Sequence, residues 1–413
     1  MSIDTADLLD RFCRYVRINT RSDPDSPTSP STPGQWDLLR LLEGELKELG
    51  AKDVRLTEFG YVLATIPATT KKTSVPKLAF FAHVDTEQTL PGGATPIVHR
   101  KYDGRPIVLP DDPSLVLDPA KIPALTGKAG DDIITASGTT LLGADDKSGV
   151  ASVMAAARHL LKNPSIPHGE IRVCFNPDEE IARGVEKLDL ADVAVDFAYT
   201  LDAELPGSIE FESFSADQAV VEIRGVASHP GWAKDVMVNA IRLASRFVAS
   251  LPMEVSPERT ADRDGFIHPT DIRGNLEKAQ VKMILRDFEL DGLEAKRAIL
   301  RDAVAKLQRE EPRATMKLEI TKQYRNMRYW LEKDMRPVEF AIEAVKRAGL
   351  TPVSSAIRGG TDGSRLTERG LPTPNIFCGM RNIHSQLEWV SLQDMEKAVE
   401  TILHLAQLWE ERS

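Results

Sequence analysis

Short apolar runs, each about the length of one strand, alternate with segments of helical period along the first half of the chain. Trp36–Leu49 carries apolar residues at helical spacing, namely Leu38, Leu39, Leu41, Leu42, Leu46 and Leu49. Val54–Thr57 and Val62–Ile66 read as short strands. Lys77–Ala82 is an apolar run bounded by Pro76, as expected of a buried strand. Lys147–Leu161 reads as a buried helix, marked by Val150, Val153, Met154, Ala157 and Leu161. Ile171–Phe175 and Phe197–Leu201 are again strands. A chain that alternates in this way predicts an α/β fold, with helices on both faces of one sheet.

Beyond residue 214 the texture changes. Ala219–Arg224 alternates in part and predicts a strand. Val236–Leu251 predicts a helix, Ala279–Arg286 a strand, Leu293–Leu307 a helix and Met316–Thr321 a strand. This β-α-β-α-β order is compact enough for a smaller α+β domain of ferredoxin-like kind, with an antiparallel sheet. Met335–Ala348 (helix), Thr373–Cys378 (strand) and Leu392–Glu411 (amphipathic helix) then return to the first pattern. The expected organisation is one α/β domain built from residues 1–214 and 326–413, interrupted by an inserted domain at 215–325. Ser22–Pro33, rich in Ser, Pro and Thr, reads as a surface loop.

Composition narrows the partners. Lys and Arg number 52 against 62 Asp and Glu, a net charge of −10. No basic run exceeds two residues, so a nucleic-acid partner is not expected. No stretch approaches the roughly 20 apolar residues of a membrane span. Asp4, Asp7 and Asp10 stand where a signal peptide would be apolar, so the expected location is the cytoplasm. The three cysteines are scattered and offer neither a disulfide framework nor a thiolate metal cluster. Any metal must be held by carboxylates and imidazoles.

Four segments place such groups just past predicted strands or at a helix start, where open α/β sheets build their sites. In His83-Val84-Asp85-Thr86, two residues of one strand end point to the same side, so His83 could bind a metal while Asp85 orients its ring. An exposed histidine and a turn aspartate would explain the same pair. Asp145-Asp146 could cap a helix, or Asp145 could bridge two cations. Asp178-Glu179-Glu180 could be a solvated loop, or one glutamate could bind an ion while the other takes a proton from activated water. Asp202 could be turn chemistry or a terminal ligand. Taken together, separate bland explanations would have to hold at every strand end of one sheet. A mixture of His and several carboxylates suits a pair of divalent cations, with zinc the expected occupant and cobalt or manganese as substitutes.

These segments stand in a longer series. His83-Val84-Asp85-Thr86, Thr140-Leu141-Leu142-Gly143-Ala144-Asp145-Asp146-Lys147, Pro177-Asp178-Glu179-Glu180 and Thr200-Leu201-Asp202-Ala203-Glu204 are followed by Ser228-His229-Pro230-Gly231, Arg358-Gly359-Gly360-Thr361-Asp362-Gly363 and Asn382-Ile383-His384-Ser385. In this order the series resembles the dizinc peptidase family that includes carboxypeptidase G and succinyl-diaminopimelate desuccinylase, and within it the tripeptide aminopeptidase branch. The resemblance implies two zinc ions. His83 and Asp202 would hold one, Glu180 and His384 the other, with Asp145 bridging both. It implies Asp85 as an orienting and catalytic residue, Glu179 as general base, and a cis peptide between Asp145 and Asp146. Only the resemblance selects His384 from the eight histidines. It further implies an inserted lid or dimerisation domain, His229 as the oxyanion donor, and a homodimer as one arrangement.

The implied substrate is a short peptide, above all a tripeptide cleaved after its N-terminal residue. Arg286 and Arg358 match positions that suit a substrate carboxylate, and Asn239 and Asn326 could position its backbone. Arg286 could equally pair with Asp287. A related reading keeps the site but takes dipeptides or N-acyl amino acids. Ile383 before His384, Ser385-Gln386-Leu387-Glu388 after it, and Ala182 depart from the usual pattern of the branch. None is an implied ligand; they bear on how strictly tripeptides are preferred. A non-catalytic binding protein on the same scaffold would have lost a ligand or the base, and every one of those positions is filled here.

Overall fold

The computed structural model describes residues 3–413. They form two compact units. The larger comprises the chain up to Phe211, Tyr329–Ser355 and Thr361–Ser413; the smaller comprises Glu212–Arg328 with Ala356–Gly360.

The larger unit is built on an eight-stranded mixed sheet. Its order is Lys52–Leu56, Val62–Ile66, Ile171–Asn176, Leu78–His83, Phe197–Ala203, Asn375–Phe377, Ser208–Ser213 and Val353–Ile357. Ile171–Asn176, Leu78–His83, Phe197–Ala203 and Asn375–Phe377 run parallel at its centre. Every residue of Leu78–His83 is buried, which is why that strand reads as a continuous apolar run. Successive side chains alternate between faces. Leu78, Phe80 and Ala82 join the core under the helices Thr5–Val16, Pro33–Glu48, Ala144–Lys162 and Leu392–Glu411. Ala79 and Phe81 meet Val185, Leu188, Val193 and Leu366 on the opposite face. The helix Leu392–Glu411 has the bounds the sequence predicts, is capped by the Ser391 hydroxyl, and buries Trp409 against Phe197 and Phe340. Among the described residues no helix is long and apolar enough to cross a membrane.

The stretch Ser22–Pro33 is not wholly surface. Its tip is exposed, but Pro30 and Ser31 are buried because Ser31 is drawn onto the carboxylate of Asp178.

The smaller unit has one strand more than its sequence suggests. Its antiparallel sheet runs Phe266–Gly274, Lys278–Asp287, Ser215–Arg224, Thr315–Tyr324. With the helices Ala240–Ala249 and Leu290–Glu310 the chain order is β-α-β-β-α-β, the full ferredoxin-like arrangement. The overlooked strand, Phe266–Gly274, contains Pro269, which cannot donate to a ladder. It is tolerated because the strand lies at the sheet edge and its register slips between Pro269 and Asp271.

Candidate metal centre

Neighbouring strand ends of the larger unit deliver most of the candidate side chains. His83 is the last residue of Leu78–His83 and lies opposite Asn176, the last of the adjacent parallel strand. The chain leaving Asn176 turns at Asp178 (φ 58°) and presents Glu179 and Glu180. Asp202 comes from Phe197–Ala203, on the other side of Leu78–His83. Asp145 arrives from the start of Ala144–Lys162, after Gly143 in the left-handed region (φ 78°), and the Asp145–Asp146 peptide is cis. Asp146 belongs to neither trio of ligands that meets at Asp145, although it lines the same cavity as His83 and Asp202. Its carboxylate accepts from the backbone N–H of Gly149 (3.1 Å) and of His83 (3.2 Å), tying the helix start to the strand end. Gly149 must be glycine, since a Cβ there would stand 2.3 Å from Asp146 Oδ1 and 2.6 Å from the Leu201 carbonyl oxygen.

The two oxygens of Asp145 face different imidazoles. Oδ1 lies 3.0 Å from His83 Nε2, and Oδ2 lies 3.1 Å from His384 Nε2. Asp202 Oδ1 completes the first group, 3.6 Å from His83 Nε2, and Glu180 Oε1 the second, 3.0 Å from His384 Nε2. Two trios able to hold a metal ion thus share one carboxylate: His83, Asp145, Asp202 and Asp145, Glu180, His384. Ligand atoms about 2.0–2.2 Å from one tetrahedral ion stand roughly 3.3–3.6 Å apart, close to the 3.0–3.6 Å between each imidazole and its carboxylates. The charges point the same way. Burial, with the nearby acids Asp202 and Asp362, holds Glu179 well above the usual carboxylate range, and burial beside Asp145 pushes Glu180 up to about 8. Burial also works against charge on His83, yet Asp145, Asp202 and Asp85 hold its imidazole well above 6.5. Bonds to Asp145 and Glu180 raise His384 to about 11. A buried cluster so rich in acid is short of positive charge, and divalent cations would supply it.

Asp85 is fully buried and joins three of these groups. Its carboxylate accepts from the backbone N–H of Glu179 (3.0 Å) and of Glu180 (3.1 Å), and lies 3.3 Å from His83 Nδ1. Glu179 belongs to neither trio. It lines a small cavity with His83, Asn176, Thr200, Asp202 and Asp362, in which Asn176 donates to Asp362 (2.6 Å). The structure gives roles to residues to which the sequence reading assigned none. Asp178 accepts from the Ser31 hydroxyl (2.5 Å), the Ser31 backbone N–H and Gln35 Nε2 (2.8 Å). Glu388 accepts from the backbone N–H of Gly143 and of Asp145. These contacts join segments far apart in the chain and leave no local pattern.

The model of the peptidase family M20/M25/M40 matches residues 131–408. The chain belongs to this family. It is similar to peptidase T of Geobacillus thermodenitrificans, 44% identical over 98% of this chain and 99% of that protein. Peptidase T of Listeria monocytogenes is 42% identical over 98% of this chain and 99% of its own. Among solved structures, an aminopeptidase PepT of Bacillus cereus shares the fold with a TM-score of 0.76 at 23% identity, over 98% of this chain and 99% of that one. A dinuclear metal binding M20 peptidase of Bacillus subtilis has a TM-score of 0.67 at 16% identity, over 98% of both chains.

The other candidate residues of this M20/M25/M40 peptidase lie in the smaller unit. His229 stands in a loop closed at its base by Val226 and Val238. Its Nδ1 accepts from the Gly231 backbone N–H, and its ring meets the exposed Trp232 edge-on at 5.0 Å. Asn239 caps Ala240–Ala249, its Oδ1 accepting from the Arg242 backbone N–H. Arg286 does not pair with Asp287, which takes Lys296 instead; it donates to the carbonyls of Asp217 and Leu285 and stacks over Tyr324. Arg358 donates to the carbonyls of Asp262 and Asp264, both at 2.8 Å, and stacks over Phe214. Asn326 is fully buried, with Oδ1 accepting from Ser213 and Arg328 and Nδ2 donating to Phe288. Its amide is committed inside its own unit, which removes it from the candidates for peptide binding.

Proposed function

We propose that this M20/M25/M40 peptidase removes the N-terminal residue from short peptides, above all tripeptides, with two zinc ions held by His83, Asp145, Asp202, Glu180 and His384. The observation that carries the reading is the single carboxylate of Asp145, with one oxygen turned to each imidazole. The tripeptide preference is supported by whole-length similarity to relatives named peptidase T. Bound in these trios, a pair of divalent cations supplies the positive charge that polarises a peptide carbonyl and acidifies water.

The chain's own residues do the rest. Asp85 fixes the His83 ring through Nδ1 and holds the backbone of Glu179 and Glu180 in place. Glu179, held by its backbone and bound to neither trio, takes a proton from the attacking water and returns it to the leaving amine. His229 is the proposed oxyanion donor, a role that rests on the family resemblance. Arg286 and Arg358 are the proposed partners of the substrate carboxylate, with Asn239 beside them in the proposal. Arg358 has guanidinium N–H groups beyond those given to Asp262, Asp264 and Thr260.

A cytoplasmic setting belongs to the same proposal and is supported by three unpaired cysteines, two of them buried. So does a homodimer through the smaller unit, whose edge strand Phe266–Gly274 exposes Ile272. The test is metal analysis together with a panel of di-, tri- and tetrapeptides with free or blocked N-termini. Two ions per chain and turnover confined to free N-termini, fastest for tripeptides, are expected. One ion per chain would end the two-metal reading. Preference for blocked or two-residue substrates would move the enzyme to the related amidohydrolases and dipeptidases.

A further inference from the structure

The helix Ala144–Lys162 is entered through a kink at Asp145 and Asp146. Asp146 caps the regular helix by accepting from the Gly149 N–H, while the backbone N–H groups of Gly143 and Asp145 ahead of it are not met by their own segment. The first backbone N–H groups of a helix have no partner within it and are normally met by the side chain of the capping residue. Here that position is Gly143, which has none. The need is greatest at Asp145, whose two oxygens are turned to His83 and His384. With its side chain so committed, only the backbone can hold Asp145 in position.

Glu388 fills this place from 243 positions further along the chain. It is 1% exposed, and its two oxygens are divided between the two amides: Oε2 accepts from Gly143 (2.7 Å) and Oε1 from Asp145 (2.9 Å). Glu388 is itself held. The next residue, Trp389, is fully buried and begins the strand Trp389–Ser391, paired with Ile133–Thr135. The segment before it carries His384. Asn382 and His384 both adopt positive φ (51° and 58°), and Asn382 Nδ2 donates to the Leu387 carbonyl. One short segment thus supplies the imidazole of the second trio and grips the backbone of the carboxylate that both trios share.

We infer that Glu388 is a positioning residue that fixes Asp145 for two-metal binding by accepting the backbone N–H groups of Gly143 and Asp145, and that it sets the spacing between Asp145 and His384. The inference rests on the proposed role of Asp145 as the shared ligand. A glutamine cannot replace the glutamate, since its amide group would turn a donor toward one of the two N–H groups. Aspartate keeps the charge beside the buried Lys147 but is one methylene too short to reach both amides.

The test is a chelator-competition titration of the full chain with zinc, for wild type and the variants Glu388→Gln, Glu388→Asp, Asp145→Asn and Gln386→Ala. Gln386 is the control, because it ties the same segment to the Gly138 carbonyl without touching the helix start. Losing an outer partner of a metal ligand typically weakens binding about 10–100-fold, and both Glu388 variants are expected in that range. Gln386→Ala is expected within twofold of wild type, and Asp145→Asn to lose binding of both ions. If Glu388→Gln fails to fold, Glu388→Asp decides. A folded Glu388 variant with wild-type affinity, whatever its melting temperature, overturns the inference while leaving the Asp145 assignment intact. So does a Gln386→Ala loss equal to that of Glu388→Gln. Unchanged zinc binding by Asp145→Asn overturns the shared-ligand reading itself, and the inference with it.

Discussion

Ser31→Ala removes a single hydroxyl from a stretch whose composition suggests an ordinary surface loop. Surface substitutions away from special features usually change stability by no more than about 0.5 kcal/mol. The structure predicts otherwise. The Ser31 hydroxyl donates to buried Asp178 at 2.5 Å, and Ser31 itself is 6% exposed. The same oxygen accepts from Gln35 Nε2 and from the Asp23 backbone N–H. After the substitution Asp178 still receives the Ser31 backbone N–H and Gln35 Nε2, so the carboxylate is not stranded. Gln35 keeps Asp178 and Thr32, and exposed Asp23 can turn to water. What is lost is one hydrogen bond to a charged group, about 1.5–3 kcal/mol. Asp178 immediately precedes Glu179 and adopts a positive φ (58°), so loosening it also shifts the proposed base. The expected result is a urea midpoint lowered by that energy at saturating metal, with kcat falling several-fold more than KM changes. A variant within 0.5 kcal/mol of wild type, with unaltered kcat, would refute both the staple and its link to Glu179.

Three further outcomes follow from the same structure. Glu179→Ala should keep both metals and lose about 10²–10⁴ in turnover; metal analysis beside a tripeptide assay checks it, and normal turnover would remove Glu179 from the mechanism. Asp217 is fully buried between Arg297 (2.6 Å) and Arg325 (3.0 Å) in the smaller unit. Asp217→Asn should destabilise that unit by about 3 kcal/mol, the lower end for a broken buried pair because Arg297 is partly exposed; denaturation read by proteolysis of each unit should show the larger unit unmoved. His168 is fully buried beside the Gly169 carbonyl, and burial holds its pKa below 6.5. The unfolded chain therefore takes up this proton first, so stability present above pH 6.5 is lost as pH falls toward the lower folded value. His168→Gln should flatten that part of the urea-midpoint profile; an unchanged slope would exclude His168 as its source.

What was legible in the sequence was whatever repeats locally. Val62–Ile66 and Leu392–Glu411 were readable to the residue because one is uniformly buried and the other keeps a helical stripe. Ser208–Ser213 and Val353–Ile357 were not, since their serines and glutamates carry no strand pattern and they lie toward one edge of the sheet. Phe266–Gly274 hid behind Pro269. In the site, the segments holding His83, Asp145, the Glu179-Glu180 pair and Asp202 drew notice by their places at predicted strand ends and a helix start, and the family resemblance assigned the roles within them. His384 did not, because it stands in an irregular segment between two short strands, and only the family resemblance selected it. Glu388, Ser31 and Asp178 act through bonds that span more than a hundred residues of chain. Such bonds leave no period, and only tertiary structure brings them into view.

The position of Asn375–Phe377 has a bearing on how the protein is made. This late strand lies inside the large sheet, between Phe197–Ala203 and Ser208–Ser213, both synthesised long before it. While the chain leaves the ribosome the sheet must wait with a gap, its open edges inviting wrong partners. The smaller unit, apart from Ala356–Gly360, emerges as one run and can take shape first. His384 comes later still, seven residues after the strand that closes the gap. The second trio therefore cannot form before His384 has left the ribosome. The second metal site thus depends on a residue delivered after the strand that completes the sheet.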